Sequence, residues 1–215
     1  MRRAFIALLI ALSWCLASDV FAQGFELGIH AGVNVAGTPT FSTIASEARN
    51  GIILGGSASF EISPPFRLQV EAQYVQRGIE FTNSSVTGAP TDIYQLNYLE
   101  VPVNIRMGFG SRFRVYGLAG TNIGTLLSAT RQINHTDGAS EEFDEKEEIS
   151  STNIGLELGG GMSYGITSKM AVVADARYTF GLNEVQQNQQ PESLLNRSAW
   201  KARDFKITTG LLFRL

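Results

Sequence analysis

The 215-residue chain holds one cysteine, two histidines and two tryptophans, and nowhere does it run to 18 uninterrupted apolar residues. Each scarcity excludes something. The missing long apolar run excludes a transmembrane helix, which needs about 20 such residues. A lone cysteine excludes a disulfide framework and a cysteine-ligated metal site within one chain. Two histidines, His30 and His135, leave little material for a metal centre or a histidine-based catalytic set. Basic residues are outnumbered, 17 to 20, and form no stripe that would neutralise phosphates, so nucleic acid is not an expected partner.

The cysteine itself falls in a segment expected to be removed. Arg2 and Arg3 precede an apolar run from Ala4 to Leu12, too short to span a bilayer as a helix. Val20-Phe21-Ala22 then places small residues at −3 and −1, which predicts a signal peptide over 1–22 and cleavage before Gln23. A lipoprotein signal at Cys15 fits less well, because bulky Trp14 stands where a small residue is wanted. Removing 1–22 takes away Arg2, Arg3, Asp19 and Cys15, so 15 basic and 19 acidic residues remain and no thiol is left. Residues 23–215 suit one domain in length.

What the remainder does have is alternation. Polar segments at roughly 36–50, 82–93, 127–149 and 181–201 take turns with tight turns near Ser63-Pro64-Pro65, Gly108–Arg112 and Gly165–Lys169. Between them the sequence has period two. Phe25, Leu27, Ile29, Ala31 and Val33 share one face of the first strand. Phe66, Leu68, Val70, Ala72 and Tyr74 alternate with Arg67, Gln69, Glu71 and Gln73 in the third, the cleanest amphipathic run in the chain. In the fourth, Leu99, Val101, Val103, Ile105 and Met107 oppose Glu100, Pro102, Asn104 and Arg106; a proline there calls for a local bulge. The others are expected near 51–62, 112–126, 152–164, 170–180 and 202–215. Seven connections, alternately long and short, imply eight strands with both ends on the short-turn side. The reading is an all-β fold: a closed eight-stranded antiparallel transmembrane β-barrel, with short periplasmic turns and longer outer loops. A mean hydropathy of +0.02 is compatible, since lipid-facing and lumen-facing residues average out.

Four segments carry a family resemblance: Tyr98-Leu99-Glu100-Val101-Pro102-Val103, Val115-Tyr116-Gly117-Leu118-Ala119-Gly120, Asp175-Ala176-Arg177-Tyr178-Thr179-Phe180-Gly181-Leu182, and Gly210-Leu211-Leu212-Phe213-Arg214-Leu215. With these the mature chain resembles the PorT-like outer-membrane β-barrels of Bacteroidota. The resemblance implies residence in the outer membrane of a Gram-negative bacterium. Some members are linked to type IX secretion, a link these motifs do not carry over.

The polar faces would gather Arg67, Glu71, Glu100, Arg106, Arg114, Asp175, Arg177 and Lys206 into one lumen. An eight-stranded barrel is just wide enough inside for side chains to fill. Charges there are desolvated and must pair, so the expected role is a structural ion-pair core; a narrow ion pathway is the rival. No catalytic set, metal site or cofactor site is expected. Ser59, Glu61 and a histidine can be assembled on paper, but nothing in their spacing requires it. The acidic run Glu141–Glu148 has no glycine-spaced ligand pattern and is expected to be a solvated loop rather than a Ca²⁺ site. Gly117, Gly120 and Gly124 are expected to pack strands, since no helix follows to make a phosphate cradle. Tyr94, Tyr98, Tyr164, Tyr178, Phe180 and Trp200 are expected at the membrane–water boundary, where a ring can be apolar at one end and wet at the other. The expectation is a monomeric, non-enzymatic barrel. Its partners would be outer-membrane lipids and other envelope proteins met through the outer loops.

Overall fold

The structure, a computed structural model, describes residues 24–37, 45–82, 91–134, 140–144, 146, 151–184 and 201–215. The expected signal peptide, His135 and Trp200 lie outside the described residues. Among the described residues nine strands run in chain order: β1 (Glu26–Gly37), β2 (Ala45–Ser63), β3 (Phe66–Thr82), β4 (Thr91–Gly110), β5 (Phe113–Asn134), β6 (Ser140–Asp144), β7 (Thr152–Gly165), β8 (Met170–Glu184) and β9 (Lys201–Arg214). Every pairing is antiparallel between chain neighbours, except that β5 pairs both β6 and β7. β1 closes the ring on β9, from Glu26↔Arg214 to Gly37↔Arg203. The result is the eight-stranded closed barrel, with short β6 pairing the far end of β5 beyond its contact with β7. Closure is what a bilayer demands, because lipid offers no partner to an open edge.

The three tight turns fall where the sequence places them: Pro64-Pro65, Ser111-Arg112 and Ile166–Lys169 separate paired strands. The polar segments are shorter than expected. β2, β3, β4 and β5 reach 19, 17, 20 and 22 residues, against 12 to 15 for the other ring strands. Residues 45–50, 91–93, 127–134 and 181–184 fall in the polar segments yet belong to strands. Beyond the hydrocarbon no apolar face is required, so the alternation fades although the backbone ladder continues. Among the described residues the four contiguous strands β2 to β5 reach furthest on the long-loop side.

Pro102 needs no bulge. It faces Asn122 in unbroken β4–β5 register. On its β3 side the ladder omits the two positions between Val70↔Val103 and Gln73↔Glu100 without changing register. Proline's missing N–H thus leaves a gap in the ladder, not a shift. The irregularity in this hairpin is elsewhere: Asn97 faces Ser128 while Tyr98 faces Leu126, which makes Leu127 the extra residue.

The outer surface is an apolar belt. Ile29, Leu54, Leu99, Ile105, Val115, Leu156, Leu158 and Ile207 are all exposed, as lipid-facing side chains must be. Phe109, Phe113 and Tyr164 crowd its short-turn border, with the Arg112 guanidinium 5.1 Å from the Tyr164 ring centre. Phe180 is also exposed, with Tyr178 edge-on to it at 4.5 Å. Tyr94 and Tyr98 are a correction to the expected boundary set, since both are buried inside the barrel. They share the even parity of Glu100, and pleating sends residues of one parity to one side.

Candidate functional site: a charged layer across the lumen

The inward parity of each strand delivers polar side chains to the middle of the barrel. β3 sends Glu71 and Arg77, β4 Glu100, β7 Glu157, β8 Asp175 and Arg177, and β9 Asp204 and Lys206, all buried. Arg177 is the hub of one half. Its guanidinium donates to Asp175 at 2.8 and 3.1 Å, to Glu71 at 2.6 Å and to Glu157 at 3.2 Å. Glu100 is the hub of the other half, 2.6 Å from both the Arg77 guanidinium and the Lys206 ammonium. Arg77 also meets Asp204 at 2.6 Å, and Lys206 lies 3.5 Å from Glu157, which joins the halves.

Five carboxylates here face three permanent cations, so neutral donors must fill the remaining acceptor capacity. They do. Asn122 donates to Glu100 at 2.6 Å and Asn104 to Glu157 at 2.9 Å. Thr208 and the Tyr116 hydroxyl donate to Asp175 at 2.9 and 3.1 Å. His30 Nε2 stands 3.5 Å from Glu71 and 3.4 Å from Gln73. Bonds to charged groups in a low-dielectric interior are the strong ones, and this layer consists of little else.

Apolar clusters bound the layer on both sides. Leu96, Tyr98, Leu126 and Ala129 pack together toward the long loops. Tyr116, Leu118, Ala171, Val173 and Leu212 pack toward the short turns. Arg77 lies over the Tyr98 ring at 4.5 Å, and Arg106 over the Tyr116 ring at 3.8 Å, so each cluster is tied to a cation.

The eight residues singled out from sequence therefore fall in two places. Glu71, Glu100, Asp175, Arg177 and Lys206 meet in the central layer. Arg67, Arg106 and Arg114 lie nearer the short turns, where Arg67 donates to Glu61 at 3.1 Å and to the Gly24 carbonyl. Arg114 is only half-buried and bonds the Gly110 carbonyl at 3.2 Å. It is outside the ion-pair core, because position 114 is one residue from the turn. Arg77, Glu157 and Asp204 escaped the sequence reading. Arg77 lies three residues past Tyr74, where the quoted alternation stops, but counting by twos from Arg67, Glu71 and Gln73 arrives at it. Glu157 and Asp204 likewise share parity with Asn153 and Lys206. Ser59, Glu61 and His30 are not assembled: Ser59 pairs across from Glu26 while His30 pairs across from Gly55, and Glu61 is engaged by Arg67. Glu141–Asp144 form the exposed β6, a correction to the loop expected there; Glu145, Glu147 and Glu148 are outside the described residues. Among the described residues no cluster of metal-ligating side chains occurs.

The three consecutive glycines of β7 create room for the hub. Gly159 pairs with Arg177 and Gly161 with Asp175. A methyl group added at Gly161 would stand 2.7 Å from the Tyr116 hydroxyl, and one at Gly159 would stand 2.9 Å from the Arg177 Cα. Gly161→Ala should cost about 1–3 kcal/mol in urea unfolding, as overpacking does. Gly117→Ala, where the nearest atom would be 3.9 Å away, should stay within about 0.5 kcal/mol of the parent. Equal effects would show that the β7 glycines are not spacers.

With closure, belt and filled lumen in view, comparison with known proteins is decisive on the family. Residues 21–187 match the family described as the outer membrane protein beta-barrel domain. The chain belongs to this family. It is an outer-membrane protein of a Gram-negative bacterium. Solved structures agree on the fold. OprG of Pseudomonas aeruginosa has 12% identity and a TM-score of 0.56 over 89% of this chain and 96% of its own. A major outer membrane protein of Thermus thermophilus has 12% identity and 0.53, over 89% and 99%. Neisserial surface protein A has 16% identity and 0.51, over 90% and 98%. At such identities the likeness concerns the barrel alone. No curated protein matches the chain in sequence.

Proposed function

We propose that this barrel is a non-enzymatic, monomeric platform whose lumen is plugged by its own side chains and whose outer loops meet other envelope proteins. The supporting observation is the charged layer with an apolar cluster on either side: Lys206 and Glu100 are 1% and 0% exposed. A conducting pore would keep such groups wet. The apolar belt holds the barrel among outer-membrane lipids, and no cofactor enters the reading. Membership of the PorT-like branch is part of the proposal and rests on the four quoted motifs.

Planar-bilayer recording of purified protein tests the plug. The expected trace is flat, with no steady unitary conductance at neutral pH. Stable channel events would put the small-channel reading first. Blocked secretion in a type IX reporter strain lacking this chain would favour the secretion-associated reading over a general platform.

A further inference from the structure

The short-turn mouth of the barrel has more positive charge than it neutralises. Two adjoining chambers open there, of about 320 and 420 Å³. The inner one is walled by Pro64, Pro65, Gly108–Gly110 and Tyr116, the outer by Gly24–Glu26, Ser111 and the Arg214-Leu215 end of β9. Glu61, Arg67 and Arg114 line both; Arg106 lines the inner and Arg214 the outer. Four guanidiniums thus face two carboxylate side chains and the terminal carboxylate of Leu215.

Each side-chain carboxylate already accepts from an arginine, although Glu26 Oε2 is left without a hydrogen bond. Glu61 accepts from Arg67 at 3.1 Å, and Glu26 accepts from Arg214 at 3.1 Å while lying 3.6 Å from Arg67. Arg106 and Arg114 have no carboxylate partner among the described residues. Arg106 is 4% exposed; its bonds are one contact to Gln69 at 3.3 Å and the face of Tyr116. Arg67 is 7% exposed and its buried Nε has no acceptor. A buried cation without a counter-ion is strongly unfavourable, and a free guanidinium edge is matched to an oxyanion.

We infer that the mouth is a binding site for a phosphate-bearing anion, held between Arg106 and Arg114 with the Arg67 Nε as a further donor. A phosphate monoester carries about −1.5 to −2 charge at neutral pH, which offsets most of the charge on the two arginines that lack carboxylate partners. The chamber volumes suit a small molecule or one headgroup. Short turns face the periplasm, so the anion is either a soluble periplasmic phosphate or the headgroup of an inner-leaflet phospholipid. The site is separate from the central layer and its occupancy does not depend on whether the lumen conducts.

The test is calorimetric titration of the folded full-length mature barrel, in uncharged maltoside micelles at low salt, with pyrophosphate and with short-chain phosphatidylglycerol. Saturable one-to-one binding of at least one probe is expected. Arg106→Gln and Arg114→Gln should each weaken it at least tenfold, while Lys169→Gln, on a neighbouring turn outside both chambers, should stay within twofold. Gel mobility with and without heating verifies folding; if Arg106→Gln fails to fold, the half-buried Arg114→Gln decides. The tighter probe identifies the source of the phosphate. Failure of the parent to bind either probe saturably, or equal weakening by Lys169→Gln, would overturn the inference.

Discussion

Arg177→Ala should destabilise the folded barrel by about 3–5 kcal/mol, the usual cost of removing one partner from a buried ion pair. The size follows from what is left behind. Arg177 is the cation that engages Asp175, Glu71 and Glu157 at once, and these acids come from three different strands. Without it, three carboxylates remain in a lumen flanked on both sides by apolar clusters. Lys206 reaches Glu157 only at 3.5 Å and cannot take over. Arg177→Lys restores a charge but not the fork that engages three acids at once, so it should fall between alanine and the parent. Urea unfolding in lipid vesicles, followed by gel mobility without heating, measures all three proteins. An alanine variant that unfolds at the parent's urea midpoint would mean that the layer is wet, and would return the channel reading to first place.

Val103→Arg should cost about 2–4 kcal/mol, as a cation does near the middle of the lipid-facing wall. Val103 stands opposite Val70 on β3 and Thr121 on β5, midway along the outward row from Leu99 to Met107. Its neighbours in sequence, Pro102 and Asn104, face the lumen and are buried. An arginine there must drag its guanidinium along the wall to the headgroups. The same substitution at Gln132, exposed on the extended part of β5, should change stability by no more than about 0.5 kcal/mol. Matching losses at the two sites in vesicles, or no loss at Val103, would invert the assignment of inside and outside.

Strand number, closure and side-chain parity were legible in the chain. Tight turns at Pro64-Pro65, Ser111-Arg112 and Ile166–Lys169 punctuate it, and a bilayer forces apolar residues onto one side of every strand between them. Parity extends further than the apolar pattern that reveals it. Tyr94 and Tyr98 look like boundary aromatics when judged by position in the strand, yet their even numbers already commit them to the side of Glu100. Arg77, Glu157 and Asp204 were equally available to counting by twos from residues whose side was known.

Tertiary structure alone decided which charges meet. Glu71 and Arg177 are 106 residues apart and lie on strands that do not pair; so do Glu100 and Lys206. Their contact crosses the lumen, and the height of each side chain along the barrel axis depends on strand stagger summed round the ring, which no local pattern encodes. Stagger likewise separated Arg67, Arg106 and Arg114 from the central acids and placed them at the short-turn mouth. The sequence by itself determined a closed membrane barrel with a charged interior, because the period-two rule acts on each residue locally. Only the closed ring decided that the interior divides into a central layer of ion pairs and a mouth where Arg106 and Arg114 have no carboxylate partner among the described residues.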